Sequence, residues 1–313
     1  MSIIEKAIEK MNKKSTVEAS VEKHLSASRP EATAPRQSQV KEQVSRQATP
    51  AHERTLTETK NTVAKSIKLD FNILRNAGMV VPDNTRSRIA DEYRLIKRPL
   101  IMNAFAQGAT IVEHANMIMV TSSVPGEGKT FSAVNLAMSI ALERDKHVLL
   151  VDADVARPSV SKLLHLGKNP GLIDMLVDDN VEFGDVVLKT NVPNLSILPS
   201  GKTHPHSTEL LSSNEMARLT DELSRRYSDR IVIFDSPPLL ATTEAGVLAN
   251  HMGQVVMVVE SGKTQQKLVK EALSRLNGPE IIGFILNKTI GGVMGGEYDY
   301  SYGYYGGGYA SGE

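Results

Sequence analysis

The chain contains no cysteine and no tryptophan. The first absence excludes disulfides, thiol catalysis and cysteine-ligated zinc. Lysine and arginine total 36, as do aspartate and glutamate, so no net field of either sign is available to hold nucleic acid. No apolar run approaches the roughly 20 residues that cross a bilayer. The opening MSIIEKAIEKMNKK lacks the continuous apolar core and the cleavage site of a secretory signal. These absences predict a cytoplasmic protein whose contact with the inner face of the plasma membrane is peripheral. Aromatic residues make up only 4% of the chain, and none precedes Phe71.

What aromatic content there is gathers at the other end. The stretch 297-EYDYSYGYYGGGYASGE-313 holds Tyr298, Tyr300, Tyr302, Tyr304, Tyr305 and Tyr309, six of the eight tyrosines. Glycine and serine separate them, so residues 291–313 read as a flexible tail that packs no core. At the start, Ile3, Ile4, Ala7, Ile8 and Met11 fall at helical spacing with Lys6, Lys10, Lys13 and Lys14 elsewhere on the turn. This predicts a short amphipathic helix over 1–14, open between docking on a partner, lying on anionic lipid, and no role at all. Residues 15–79 are polar, with scattered proline, and read as a disordered linker.

From about residue 80 to 290 the texture changes. Short apolar runs, among them MIMVTSS, HVLLVDAD, IVIFDSPP, VVMVVES and IIGFILNKT, alternate with helical patterns. Near-continuous apolar strands are what a parallel sheet covered on both faces requires. The expected fold is α/β: a doubly wound, mostly parallel sheet flanked by helices.

Three strand ends carry the chemistry. In 117-MIMVTSSVPGEGKTFSAVNLA a strand leads through a glycine-containing loop into a helix. Gly126 and Gly128 allow a tight turn, and loop and helix amides from Val124 through Glu127 to Phe131, Pro125 having none to give, can cradle a polyphosphate. Lys129 would reach the β/γ-phosphates of ATP and the Thr130 hydroxyl would ligate Mg²⁺. The strict P-loop pattern has glycine where this chain has Ser123. In 148-VLLVDADVARP, Asp152 and Asp154 reach the carboxyl edge of a strand, and in 231-IVIFDSPP so does Asp235. Paired carboxylates repel unless a cation or proton lies between them, which suits Asp154 and Asp235 to a metal and one aspartate of the pair to accepting a proton.

SSVPGEGKT, VLLVDADVARP and IVIFDSPP, in that order and followed by a terminal tyrosine cluster, resemble the bacterial tyrosine kinases. The chain is most similar to the cytoplasmic autokinases associated with exosortase and exopolysaccharide gene clusters. The likeness runs from about residue 80 to 313 and takes in 91-DEYRLIKRPL, 171-GLIDML, 208-TELLSS and 281-IIGFILNKT. It implies a P-loop kinase with three Walker motifs at Gly126–Thr130, at Asp152 with Asp154, and at Asp235. It further implies ATP with magnesium, autophosphorylation of the tail tyrosines in trans, and a homo-oligomeric ring that governs polysaccharide synthesis or export. A separate membrane protein of the chain-length-determinant (polysaccharide co-polymerase) type would activate it, and a tyrosine phosphatase would reset it.

Two departures bear on this likeness. The family's Asp-x-Asp-x-Arg has its arginine one position late here, at Arg157. Its ring motif, Glu-x-x-Arg-x-x-Arg, survives only as Asp91, Arg94 and Lys97, and lysine lacks arginine's bidentate fork. Asn287 with Lys288 stands where related ATPases read adenine, or is simply a strand exit. His204 and His206 make a poor metal pair, lying in a loop. Two rival readings remain. A partition-type (MinD/ParA) ATPase switch would need a lysine where this loop has Val124, and a nucleotide-binding adhesive scaffold would need no intact acids.

Overall fold

The computed structural model describes residues 65–105, 112–226 and 229–289. The helix expected over 1–14 and the tail expected over 291–313 lie outside the described residues. In chain order the first elements are β1 (Ser66–Ile67), α1 (Phe71–Asn76), α2 (Arg88–Ala104), β2 (Met117–Ser122), α3 (Lys129–Ala141) and β3 (His147–Asp152). There follow α4 (Val160–Leu163), α5 (Leu172–Val177), α6 (Phe183–Val186), β4 (Leu188–Thr190), β5 (Leu195–Leu198), α7 (Ser207–Leu211) and α8 (Asn214–Arg226). The last are β6 (Arg230–Asp235), α9 (Glu244–Ala249), β7 (Gln254–Glu260), α10 (Gln266–Leu273) and β8 (Ile281–Asn287).

The strands form one sheet in the order β1-β4-β5-β3-β6-β2-β7-β8. Every neighbouring pair is parallel except β4 with β5. The apolar runs have the cause expected of them. Successive side chains of a strand point to opposite faces, and at β2, in the middle of the sheet, both faces are covered. Ile118 and Val120 of β2 enter one apolar cluster with α2 and α3, whereas Met117 and Met119 enter a second with α5, α8 and α9. All six residues of β2 are buried. No described helix is long and apolar enough to cross a membrane.

Strand register positions the site. Asp235 at the end of β6 lies opposite Asp152 at the end of β3 and opposite Val120 near the end of β2. The loops that leave β2, β3 and β6 therefore meet at one carboxyl edge, the customary ligand edge of an open α/β sheet.

The ordered domain reaches further back than the linker expected over 15–79. The last part of that stretch carries β1 and α1, and Leu69, Leu74 and Met79 are buried in the cluster that includes α3. Asp70 caps α1 by accepting from the amides of Asn72 at 2.9 Å and Ile73 at 3.3 Å. Two asparagines far along the chain stitch the segment down. Asn191 Oδ1 accepts from the Leu69 amide at 2.8 Å, and Asn135 Oδ1 from the Val80 amide at 2.7 Å. A few buried apolar positions spread among polar neighbours hold this edge of the sheet, and a composition averaged over the polar window conceals them.

Candidate phosphoryl-transfer site

The loop after β2 is shaped by its glycines. Gly126 and Gly128 have φ of +92° and +102°, in the left-handed region that favours glycine. A Cβ on Gly128 would also sit 2.1 Å from Asn287 Nδ2, so the Asn287 side chain would have to move aside. Gly128 is the N-cap of α3 and supplies no capping side chain, which leaves the first-turn amides and the positive end of the helix turned toward the loop.

Glu127 braces this loop from behind. Its buried carboxylate accepts from the Val124 amide at 2.7 Å, the Glu260 amide at 3.4 Å and the Thr264 hydroxyl. Asn287 Nδ2 donates to the Glu127 carbonyl at 2.8 Å, and Lys288 Nζ to the Gly126 carbonyl at 2.7 Å. Lys288 also pairs with Glu260 at 3.1 Å. The side chains of Glu127, Asn287 and Lys288 thus clamp the backbone of the cradle. The Glu127 side chain and this clamp are invisible in the sequence, because a motif does not tell which way an intervening side chain turns.

The three strand-end aspartates and Lys129 converge. Lys129 Nζ donates to Asp154 Oδ2 at 2.7 Å and lies 3.8 Å from Asp235 Oδ1. The Thr130 hydroxyl donates to Asp235 Oδ2 at 2.7 Å. Asp152 Oδ2 accepts from the amides of Val160 at 3.1 Å and Ser161 at 3.3 Å, at the start of α4. Asp154 Oδ1 accepts from the Arg157 amide at 3.1 Å.

One cation does not balance three carboxylates. Burial pushes the Asp152 carboxyl up to about 7, with the charge of Asp235 adding to the effect. Burial likewise pushes Asp235 up to about 6, although Lys129 and the Thr130 hydroxyl pull it down. One oxygen of each, Asp152 Oδ1 and Asp235 Oδ1, is buried with no hydrogen-bond partner. Two orphaned hard oxygens beside a threonine hydroxyl form a donor set suited to Mg²⁺, so the residues present fit that ion.

Lys129, Thr130 and Asp154 open onto a cleft of about 870 Å³. Pro125, Phe131 and Arg157 line it, with Pro237 and Pro238 on the β6 side. Of the remaining sequence assignments, Asp91 and Arg94 lie exposed on α2 and pair with each other, and Arg94 also donates to the Thr85 carbonyl at 2.9 Å. Lys97 does not share their surface. It is buried, and its Nζ donates to the Ser139 carbonyl of α3 at 2.6 Å and pairs with Glu143, just beyond that helix, at 2.6 Å. His204 and His206 lie with ring centroids 5.8 Å apart. Among the described residues no group of three metal-ligating side chains includes them. The six tail tyrosines lie outside the described residues.

A family profile described as an AAA domain matches residues 115–273, the stretch from just before β2 to the end of α10. Tyrosine-protein kinase YwqD of Bacillus subtilis (strain 168) is 34% identical over 224 residues, which cover 71% of this chain and 88% of that protein. Tyrosine-protein kinase ptk of Acinetobacter johnsonii is 35% identical over 174 residues, 55% of this chain but only 23% of that much longer protein. Among solved structures, the chimerical protein CapA2B2 superposes with a TM-score of 0.55 at 29% identity, covering 71% of this chain and 94% of its own. With the phosphate cradle, its lysine and the three acids on one sheet edge, the likeness spans both the fold and the chemistry: the chain belongs to the bacterial tyrosine-protein kinase family.

Proposed function

We propose that the chain binds MgATP at this edge and transfers the γ-phosphoryl group to tyrosines of the C-terminal tail on a neighbouring copy. The observation that carries the reading is the Lys129–Asp154 ion pair, buried against Asp235 and Thr130 and open to a cleft. Lys129 is held by a carboxylate rather than by phosphate. On nucleotide binding it turns to the β/γ-phosphates and frees Asp154 on the cleft wall. Thr130 and Asp235, with the orphaned oxygen of Asp152 close by, would hold the magnesium ion, although the family likeness assigns Asp154 to it as well. That ion supplies charge neutralisation as the phosphoryl group moves.

The tyrosine phenol enters from the cleft. Its oxygen forms the new bond to the γ-phosphorus as the bond to the β,γ-bridging oxygen breaks, ADP leaves, and the phenolic proton passes to Asp154. A phenol of pKa about 10 loses its proton late in bond formation, so a plain carboxylate suffices. Pro237 and Pro238 give the cleft a rigid wall against which a phenol ring can stack.

The likeness to the autokinases of exopolysaccharide gene clusters extends the reading to control of polysaccharide synthesis or export. It also supplies the ring of copies, an activating membrane protein of the chain-length-determinant type and a phosphatase. The exposed Asp91–Arg94 pair on α2 supports the ring, and Lys97 gives it no support. The test is mass spectrometry of the purified full chain incubated with MgATP. Phosphotyrosine should appear among Tyr298–Tyr309 and vanish in Lys129→Met. ATP hydrolysis without tail label would favour a nucleotide switch instead.

A further inference from the structure

The sheet ends on β8, and β8 ends badly for a protein in water. Ile282, Phe284 and Leu286 point to one face with 37%, 56% and 61% of their surface exposed. Their neighbours across the pair on β7, Val255, Met257 and Val259, belong to the apolar cluster on that face. The exposure of Ile282, Phe284 and Leu286 shows that the cover over β7 does not extend fully across β8. Among the described strands β8 also has a neighbour on one side only. The Ile281 amide donates to the Gly253 carbonyl on the β7 side. The alternation of a parallel ladder then turns the amides of Ile282, Phe284 and Leu286 outward. An apolar face joined to an unpaired edge is a template for another strand.

The chain supplies a matching strand a few residues later. Lys288, with φ of +56°, turns the backbone out of the strand direction at the end of β8. Residues 288–296 then include Gly291, Gly292, Gly295 and Gly296, enough to reverse direction. After them comes 298-YDYSY-302, tyrosine at every second position and polar residues between, with no proline as far as the C-terminus. Period two with one aromatic face is the signature of a strand that covers an apolar surface.

We propose that, before phosphorylation, this segment adds to β8 as an antiparallel strand of the same chain. Tyr298 then lies opposite Leu286, Tyr300 opposite Phe284 and Tyr302 opposite Ile282. This register puts all three rings on the exposed apolar face, where aromatic–aliphatic cross-strand pairs are favourable. It also satisfies the outward amides of β8. Asp299 and Ser301 fall on the opposite face. In this state Tyr298, Tyr300 and Tyr302 are held back, while Tyr304, Tyr305 and Tyr309 lie beyond the added strand and stay available to another copy. A phosphate on any of the three rings brings about −1.5 to −2 charge onto an apolar ledge and expels the strand. Release would then expose the other two of these three rings, so that one phosphorylation among them hastens the next. The release rests on the kinase function proposed above, whereas the docking does not.

Amide hydrogen exchange on the full chain carrying Lys129→Met, which has no transfer activity of its own, tests the docking without reference to catalysis. The amides of Ile282, Phe284 and Leu286 should exchange roughly tenfold more slowly than in the same protein with Tyr298→Ser, Tyr300→Ser and Tyr302→Ser. Equal rates in the two proteins overturn the proposal. Protection that disappears on dilution also overturns it, because it would assign the added strand to a second copy. Tyr300→Glu with Tyr302→Glu places charge on the ledge directly and should abolish the protection. Protection that survives this change contradicts the release, whether or not the enzyme phosphorylates its tail.

Discussion

Asp152 and Asp235 face each other across β3 and β6, both fully buried, and share a single nearby ammonium. Their strain has a measurable sign. In the unfolded chain an aspartate titrates near 3.9. Between that value and about 7, folded Asp152 retains a proton that the unfolded chain has released. Stability therefore falls as pH rises through this window, and the loss is complete above about 7. Asp152→Asn keeps an oxygen for the Val160 and Ser161 amides and removes the buried charge. In protein free of nucleotide and magnesium it should raise stability by roughly 1–3 kcal/mol at pH 8 and by little near pH 4. Thermal unfolding across pH reads the difference, and a gain that does not depend on pH would show that ionisation is not its cause. The same substitution should depress tail labelling, because the oxygens that are expensive in the empty site are those that welcome a cation.

At the scale of elements, two helices carry opposite lessons. On α2, Lys97 is a tie within the chain: it joins this helix to the Ser139 carbonyl and to Glu143. Lys97→Ala removes that tie and should lower stability in urea by about 1–3 kcal/mol. Arg94→Glu, at an exposed position, should leave the unfolding midpoint nearly unchanged and reduce the mass of the assembly by light scattering. An exchange of phenotypes between the two variants would contradict this division of roles along α2. Helix α1 was illegible in the sequence, since its buried side chain, Leu74, stands amid FNILRN with no sustained period. Leu74→Ala should nonetheless cost roughly 2–4 kcal/mol, as a core truncation does. A cost below about 0.5 kcal/mol would mean that the segment lies loosely on the domain. By contrast, β2, β3, β6 and β7 could be read directly, because a strand covered on both faces writes its burial as an unbroken apolar run. The strand β4, antiparallel to β5 and only three residues long, left no such mark.

Over the whole molecule, the meeting of Lys129, Thr130, Asp152, Asp154 and Asp235 was legible because each sits at a strand end or the first turn after one, and parallel strands bring their carboxyl ends to one edge. The braces behind the loop, Glu127 and Asn287, depend on packing between distant segments, which no local pattern encodes. Transfer between copies is a property of this scale, since it joins one chain's cradle to another chain's phenols. It is tested most directly by mixing two inactive partners. Full chain with Lys129→Met keeps its tyrosines but cannot use ATP, and full chain with all six tail tyrosines changed to phenylalanine keeps its site but offers no acceptor. Incubated together with MgATP, they should yield phosphotyrosine on the Lys129→Met tail, read by mass spectrometry of its C-terminal peptide. If that peptide stays unlabelled while wild-type chains label their own tails, the phosphoryl group does not pass between copies, and the account is contradicted at its centre.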